Sequence, residues 1–187
     1  MDGVSDQPAI RTLSTRVVYQ NPWLTLREDE IERQDGSRGI YSVIDKPDFA
    51  VVIPMADGGF HLVEQYRYPL RGRYWEFPQG AFPQGRSGTP EELAAAELAE
   101  ETGFTARNLD RLGYLNSAHG YSGQGFHVFL ATDLTPGPPQ REVEEQDMRQ
   151  QWFPRDEVER MLRDGIITDD SSLAAYLLLT MRERDRT

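Results

Sequence analysis

Three glutamates, Glu97, Glu100 and Glu101, fall close together in the run Glu97-Leu-Ala-Glu100-Glu101-Thr-Gly103-Phe104. If this run is helical, Glu97 and Glu101 lie one turn apart, and all three carboxylates share an arc of roughly 100°. Like charges so placed repel, and nothing basic at neighbouring helical positions relieves them, so the arrangement calls for a cation. Clustered oxygen ligands suit Mg²⁺ or Mn²⁺ better than zinc. The plainer alternative is a solvated acidic helix face. A second acidic stretch, Glu142-Val-Glu144-Glu145-Gln146-Asp147, lies in a proline-rich loop and by itself reads as a solvated acidic loop.

The elements that must position these groups follow from local signals. Thr89-Pro90-Glu91-Glu92 has the N-cap, the proline at the first helical position and the early acids of a helix start, and Gly103 ends the helix after Thr102. A glycine-bearing loop over 80–88 precedes it. Short β-like runs are expected at 16–19, 24–32, 40–44, 49–54, 60–66, 74–77, 111–116, 126–133 and 149–153. The turns Gln34-Asp-Gly-Ser and Ala56-Asp-Gly-Gly join neighbouring runs. Two further helices are expected at 156–163 and 171–184. Residues 1–15 read as polar and irregular, and 16–187 as one α+β domain with a mixed sheet. The strands within 16–45 are either part of that sheet or a dimerisation element.

Composition excludes several classes. With 31 acids against 20 bases the formal charge is −11, which argues against general affinity for nucleic-acid backbone. No run approaches the ~18 apolar residues of a membrane span, and the start carries neither the basic nor the apolar region of a secretory signal. The chain contains no cysteine, hence no thiolate nucleophile and no Cys-ligated zinc, which fits a cytoplasmic protein. Its bases are one lysine, Lys46, and 19 arginines. There is no Gly-X-Ser-X-Gly elbow, Walker A loop or dinucleotide fingerprint.

Trp75-Glu76-Phe77-Pro78-Gln79-Gly80, the glycine-bearing loop, the capped helix and Glu-Leu-X-Glu-Glu-Thr-Gly-Phe together resemble the Nudix hydrolase family. Its box reads Gly-X5-Glu-X7-Arg-Glu-U-X-Glu-Glu-X-Gly-U, where U is bulky and apolar. The box-like segment covers about 80–104. Gln65-Tyr-Arg67-Tyr-Pro69, the Trp75–Gly80 stretch and the closing helices look most like ADP-ribose and nucleoside-diphosphate-sugar pyrophosphatases. The resemblance implies an α/β/α sandwich around a mixed sheet, commonly a homodimer, that hydrolyses the diphosphate of a small nucleoside diphosphate substrate with Mg²⁺ or Mn²⁺. It also implies Glu97, Glu100 and Glu101 as metal ligands or their neighbours, Gln79 as a backbone-carbonyl ligand, and Glu144 or else Glu145 as general base.

The box has two departures. Its arginine position is Ala96, and its first glutamate falls on Arg86 counted forward from Gly80, or on Gly88 counted back from Gly103. Losing one partner of a buried pair costs about 3–5 kcal/mol, whereas losing both avoids a stranded charge. A rearranged, self-consistent loop is therefore expected. On the substrate side, Arg67 is a candidate phosphate or ribose contact, Trp75 or Tyr68 a stacking ring, Glu76 a hydrogen-bond acceptor and His119 a loop contact. For Arg67 the alternative is pairing with nearby acids; for Trp75 it is packing. Where this subfamily often has Ser-Pro-Gly-X-Ser-X-Glu, the chain reads Ser117-Ala-His119-Gly-Tyr-Ser-Gly-Gln124, which bears on substrate identity. Two other functions stay open: a nucleotide-binding Nudix domain with weak or no turnover, and a dinucleoside polyphosphate hydrolase. Seven of the 31 acids, Glu97, Glu100, Glu101, Glu142, Glu144, Glu145 and Asp147, fall where a metal would be held and water activated, and bound cations would reverse the sign a phosphate meets there.

Overall fold

The computed structural model describes residues 8–82, 85–139 and 147–186, which divide into two compact units. One ends at Pro47 and also includes Asn116–Gln124. It contains an antiparallel sheet of β1 (Ile10–Gln20), β2 (Thr25–Arg33) and β3 (Arg38–Asp45), in that order. Strand β1 begins at Ile10, inside the stretch expected to be irregular. Bulges at Thr12/Ser14 and Val17/Tyr19 break its alternation, which hides the strand from a period-two reading. The 117–124 loop ties onto β3: Ile44 N donates to Tyr121 O at 2.8 Å, and Ser122 Oγ donates to Ile44 O at 2.8 Å.

The other unit comprises Asp48–Leu115 and Gly125–Thr187. Its strands are β4 (Phe49–Ala56), β5 (Gly59–Arg67), β6 (Gly72–Glu76), β7 (Gln79–Gly80), β8 (Phe104–Asn116), β9 (Gly125–Pro136) and β10 (Arg149–Pro154). The sheet runs β10-β5-β4-β9-β8, with β6 on β5 and β7 on β4; β4 and β9 are parallel, and the pairings of β4 with β5 and β7, and of β5 with β6 and β10, are antiparallel. Strand β8 starts at Phe104, seven residues before the expected 111. It is an edge strand whose polar residues can face water, so apolar periodicity does not mark its first half.

Strand β4 is an apolar run because both its faces are covered. Val51 and Ile53 join Phe60, Leu62, Val128, Val158, Met161, Ala175 and Leu179 in one core. Ala50 and Val52 face the other way, onto Leu93, Ala94, Leu98, Phe129 and Ala131. Helices α2 (Arg155–Arg163) and α3 (Asp170–Arg184) thus close one face of the mixed sheet, and α1 (Pro90–Thr102) closes the other. This is the expected α/β/α sandwich. Among the described residues no helix is long and apolar enough to cross a membrane.

Candidate functional site

Helix α1 is fixed at both ends. Thr89 Oγ1 accepts from Glu92 N at 3.2 Å and Glu92 Oε2 accepts from Thr89 N at 2.8 Å, a complete capping box. At the other end Gly103 takes φ +77°, a left-handed cap that suits glycine. Between them Leu93, Ala94 and Leu98 lock the helix rotation against the sheet. That rotation also carries two charged residues inward: Glu97 is 7% exposed and Glu101 is 1% exposed, while Glu100 stays half-buried.

The two-residue strand β7 faces these carboxylates. Gln79 N donates to Glu101 Oε2 at 3.2 Å. Gly80 lies so close to Glu97 that a Cβ there would come within 2.5 Å of Oε2. A cavity of about 220 Å³ opens at this point, lined by Glu97, Glu100, Gln79, Gly80, Ala81, Gln65 and Arg67. It has an acidic wall on α1 and a cationic group on β5.

Arg67 is held by Glu76, which is buried on β6. Arg67 Nε donates to Glu76 Oε2 at 3.1 Å, Arg67 Nη2 donates to Oε1, and Gln65 Nε2 donates to Oε1 at 2.7 Å. Register explains the cluster. Val63 pairs with Glu76, and Gln65 and Arg67 follow Val63 at intervals of two on one face of β5. Burial raises the Glu76 pKa above the ordinary carboxylate range, and the Arg67 guanidinium partly offsets this. Trp75, the next residue up the chain, packs edge-on against Phe153 with ring centroids 4.9 Å apart. His119 is exposed on the 117–124 loop of the N-terminal unit. Glu144 and Glu145 lie outside the described residues. Asp147, which follows that stretch, is held by Arg73, whose Nη2 donates to its carbonyl at 2.8 Å.

The candidate ligands on α1 and β7 are all oxygens: the carboxylates of Glu97 and Glu100, which line the cavity, that of Glu101 beside Gln79 N, and the Gln79 carbonyl expected from the sequence. Together with a glycine that leaves room for the Glu97 carboxylate, this chemistry fits a hard divalent cation. Among the described residues no three acidic or histidine side chains are already gathered to hold an ion. Arg86 reaches toward this wall, with Nη1 3.9 Å from Glu100 Oε1 and its guanidinium 5.2 Å over the Phe82 ring.

Sequence reasoning missed three contributors. Gln65 lies two residues from Arg67 on one strand face, a spacing that could have flagged it. Asp169 and Ser171, at the start of α3, bond to Gln79 across some ninety positions, and no local signal marks that contact.

Residues 46–176 match the NUDIX domain family, and residues 10–44 match the nucleoside diphosphate sugar hydrolase N-terminal domain. The chain therefore belongs to the Nudix family. Its likeness within that family is to ADP-ribose pyrophosphatases. It is 32% identical over 169 residues to the ADP-ribose pyrophosphatase of Mycobacterium tuberculosis, covering 89% of this chain and 81% of that one. It is 28% identical to the ADP-ribose pyrophosphatase of Bacillus subtilis, covering 73% and 74% of the two. In fold it is similar to a crystal structure of an ADP compounds hydrolase, with a TM-score of 0.85 and 22% identity over 98% of each chain.

Proposed function

We propose that this chain is a Mg²⁺- or Mn²⁺-dependent pyrophosphatase that hydrolyses the diphosphate linkage of ADP-ribose or a related nucleoside diphosphate sugar. One observation carries the reading: a single cavity sets Glu97 and Glu100 on one wall and the Glu76-held Arg67 with Gln65 on the other. A diphosphate needs cations on its oxygens. Arg67 supplies one, and the carboxylates offer a seat for divalent ions. A bound divalent cation neutralises diphosphate charge and lowers the pKa of coordinated water.

The chain's own residues divide the remaining work. Glu97, Glu100, Glu101 and the Gln79 carbonyl hold the cation. Glu76 holds Arg67 through Nε and Nη2, which fixes the guanidinium plane and leaves Nη1 for the phosphates. Glu144, or Glu145 in its place, takes the proton of the attacking water, and Glu100, which lines the cavity, is the candidate for that role on α1. Trp75 is assigned to the sugar or base, and His119, on the loop of the other unit, is a separate candidate for substrate contact. A homodimer formed through the N-terminal strands is supported by the exposed Val17, Tyr19, Trp23 and Ile40 of that unit. A second reading, a nucleotide-binding domain with weak turnover, is favoured by Ala96 and by Arg86 standing 3.9 Å from Glu100.

A panel of nucleoside diphosphate sugars, dinucleoside polyphosphates and nucleoside triphosphates with Mg²⁺ or Mn²⁺, run beside Glu101→Gln, separates these readings. Turnover of ADP-ribose well above the variant supports the pyrophosphatase. Binding of ADP-ribose without turnover above the variant supports the second reading, and preferential turnover of a dinucleoside polyphosphate moves the substrate class.

A further inference from the structure

The first turn of α3 grips the strand that carries Gln79. Gln79 Nε2 donates to Asp169 Oδ2 at 3.0 Å, and Ser171 Oγ lies 2.6 Å from Gln79 Oε1 and 2.8 Å from Asp169 Oδ2. Two residues earlier, Phe77 N donates to Ser172 Oγ at 2.9 Å. Ser171 and Ser172 are both buried. Asp169 Oδ2 also accepts from Ser172 N at 2.8 Å, so the residue that caps α3 is the one that holds the amide.

The orientation of that amide is determined by its partners. Flipped, its oxygen would face the Asp169 carboxylate, acceptor against acceptor, whereas unflipped each end has a complementary group. The single Ser171 proton is shared between two acceptors and ties both to one point. Helix α3 is itself a firm reference, because Ala175 and Leu179 sit in the core. Strand β7 is only two residues long and pairs with β4 at Ala50 and Val51 alone. Its peptide is followed directly by loop, so backbone pairing gives limited restraint. The side-chain grip supplies the missing restraint at the residue whose N–H meets Glu101 and whose neighbour meets Glu97.

We propose that Asp169 and Ser171 are positioning residues for the cation-binding wall, acting through the Gln79 side chain to hold the Gln79–Gly80 peptide against Glu97 and Glu101. This rests on the reading of that wall as a divalent-cation site. A grip that serves the site predicts a change in metal affinity separable from any change in fold stability.

The test is Mn²⁺ binding to the metal-free protein, followed by electron paramagnetic resonance, alongside thermal melting and the Mg²⁺ dependence of ADP-ribose hydrolysis. Ser171→Ala removes the shared hydroxyl while leaving the α3 cap intact. It is expected to weaken Mn²⁺ binding roughly three- to tenfold, the range of one lost hydrogen bond. The Mg²⁺ concentration for half-activation should rise by the same factor, with kcat at saturating Mg²⁺ nearly kept. Gln79→Met removes the amide without touching α3 and should reproduce the loss. Asp169→Asn keeps an acceptor oxygen and the cap, and should stay within about twofold of the parent. Unchanged Mn²⁺ affinity in Ser171→Ala and Gln79→Met overturns the proposal, whatever their melting temperatures. Failure of the parent protein itself to bind Mn²⁺ instead removes the cation-site reading on which the proposal stands.

Discussion

Arg67 and Glu76 form a two-pronged pair across adjacent strands, with Nε donating to Oε2 at 3.1 Å and Nη2 donating to Oε1. The carboxylate is 2% exposed and the guanidinium side chain 37% exposed. One end of the pair is thus sealed in the protein while the other lines the cavity, so the pair transmits rigidity from the sheet to a guanidinium on the cavity wall.

Breaking this pair from the arginine side should be costly. Arg67→Met leaves the Glu76 carboxylate buried with only Gln65 as donor, and is expected to lower stability by about 2–4 kcal/mol. The figure sits below that for a sealed pair because the arginine is partly in water. Adding Glu76→Gln removes the stranded charge and should recover about half of the loss. Urea denaturation of the two single variants and the double variant measures the coupling. A double variant no more stable than Arg67→Met would show that the carboxylate is not what penalises the single change.

The raised pKa of Glu76 has a defined sign in the pH dependence of stability. Its folded pKa exceeds its unfolded value, so the native state binds the proton more tightly. The contribution to stability is therefore complete below the unfolded value, about pH 4.3, and is lost as pH rises through the folded pKa. Burial lowers the pKa values of His61 and His127 and works in the opposite direction, removing stability as pH falls below about 6.5. Comparison with Glu76→Gln isolates the carboxyl, because the histidines cancel. Melting temperatures across the acidic range should show the variant gaining on the parent protein as pH rises. A constant difference would mean that Arg67 and Gln65 fully offset the burial.

Gly80→Ala should separate stability from function. The added Cβ would come within 2.5 Å of Glu97 Oε2, the far end of a flexible side chain, so the fold can adjust by moving the carboxylate. Melting should change by only a few degrees for a cost of about 1 kcal/mol. The displaced oxygen is one that the proposed cation uses, and Mg²⁺ for half-activation should rise about tenfold or more. Calorimetry and a Mg²⁺ titration of hydrolysis read the two effects independently. A variant that melts much earlier but needs no more Mg²⁺ would assign Gly80 to packing alone.

Local chemistry made α1 legible: the cap, Pro90, the early acids and Gly103 all agree, and the helix spans Pro90–Thr102 as expected. The β-like runs at 49–54 and 60–66 likewise fall inside β4 and β5. Strand β1 was legible only in part, since two bulges shift its register and cross-strand ion pairs such as Arg16–Glu28 replace apolar periodicity. At the site, the spacing of Glu97, Glu100 and Glu101 could be read directly. Their unequal burial could not, because it depends on which face of α1 the sheet accepts. Arg67 and Glu76 were each singled out, yet their pairing required the β5–β6 register. The Gln79 contact with Asp169 was beyond reach, since it depends on how α3 returns across the sheet. Long-range placement, rather than residue chemistry, is what the sequence withholds here.

The missing box arginine yields the last expectation. Restoring it with Ala96→Arg adds a cation four residues before Glu100 and four after Glu92. Glu92 is committed to the Thr89 cap, with Oε2 accepting from Thr89 N at 2.8 Å. The box partner of this arginine, the first glutamate, is absent from both registers: Arg86 stands at one and Gly88 at the other. Arg86 already lies 3.9 Å from Glu100. The new guanidinium would therefore settle on Glu100 and compete with a divalent ion for it. The variant is expected to show unchanged or lower kcat/KM, with Mg²⁺ for half-activation raised a few-fold, as steady-state kinetics across a Mg²⁺ series would report. A clear gain in kcat/KM at every Mg²⁺ concentration would identify the present loop as a damaged box instead of a rearranged one. The outcome turns on charge balance: an arginine helps this helix only where an acid is waiting to receive it, and the loop offers Arg86 there.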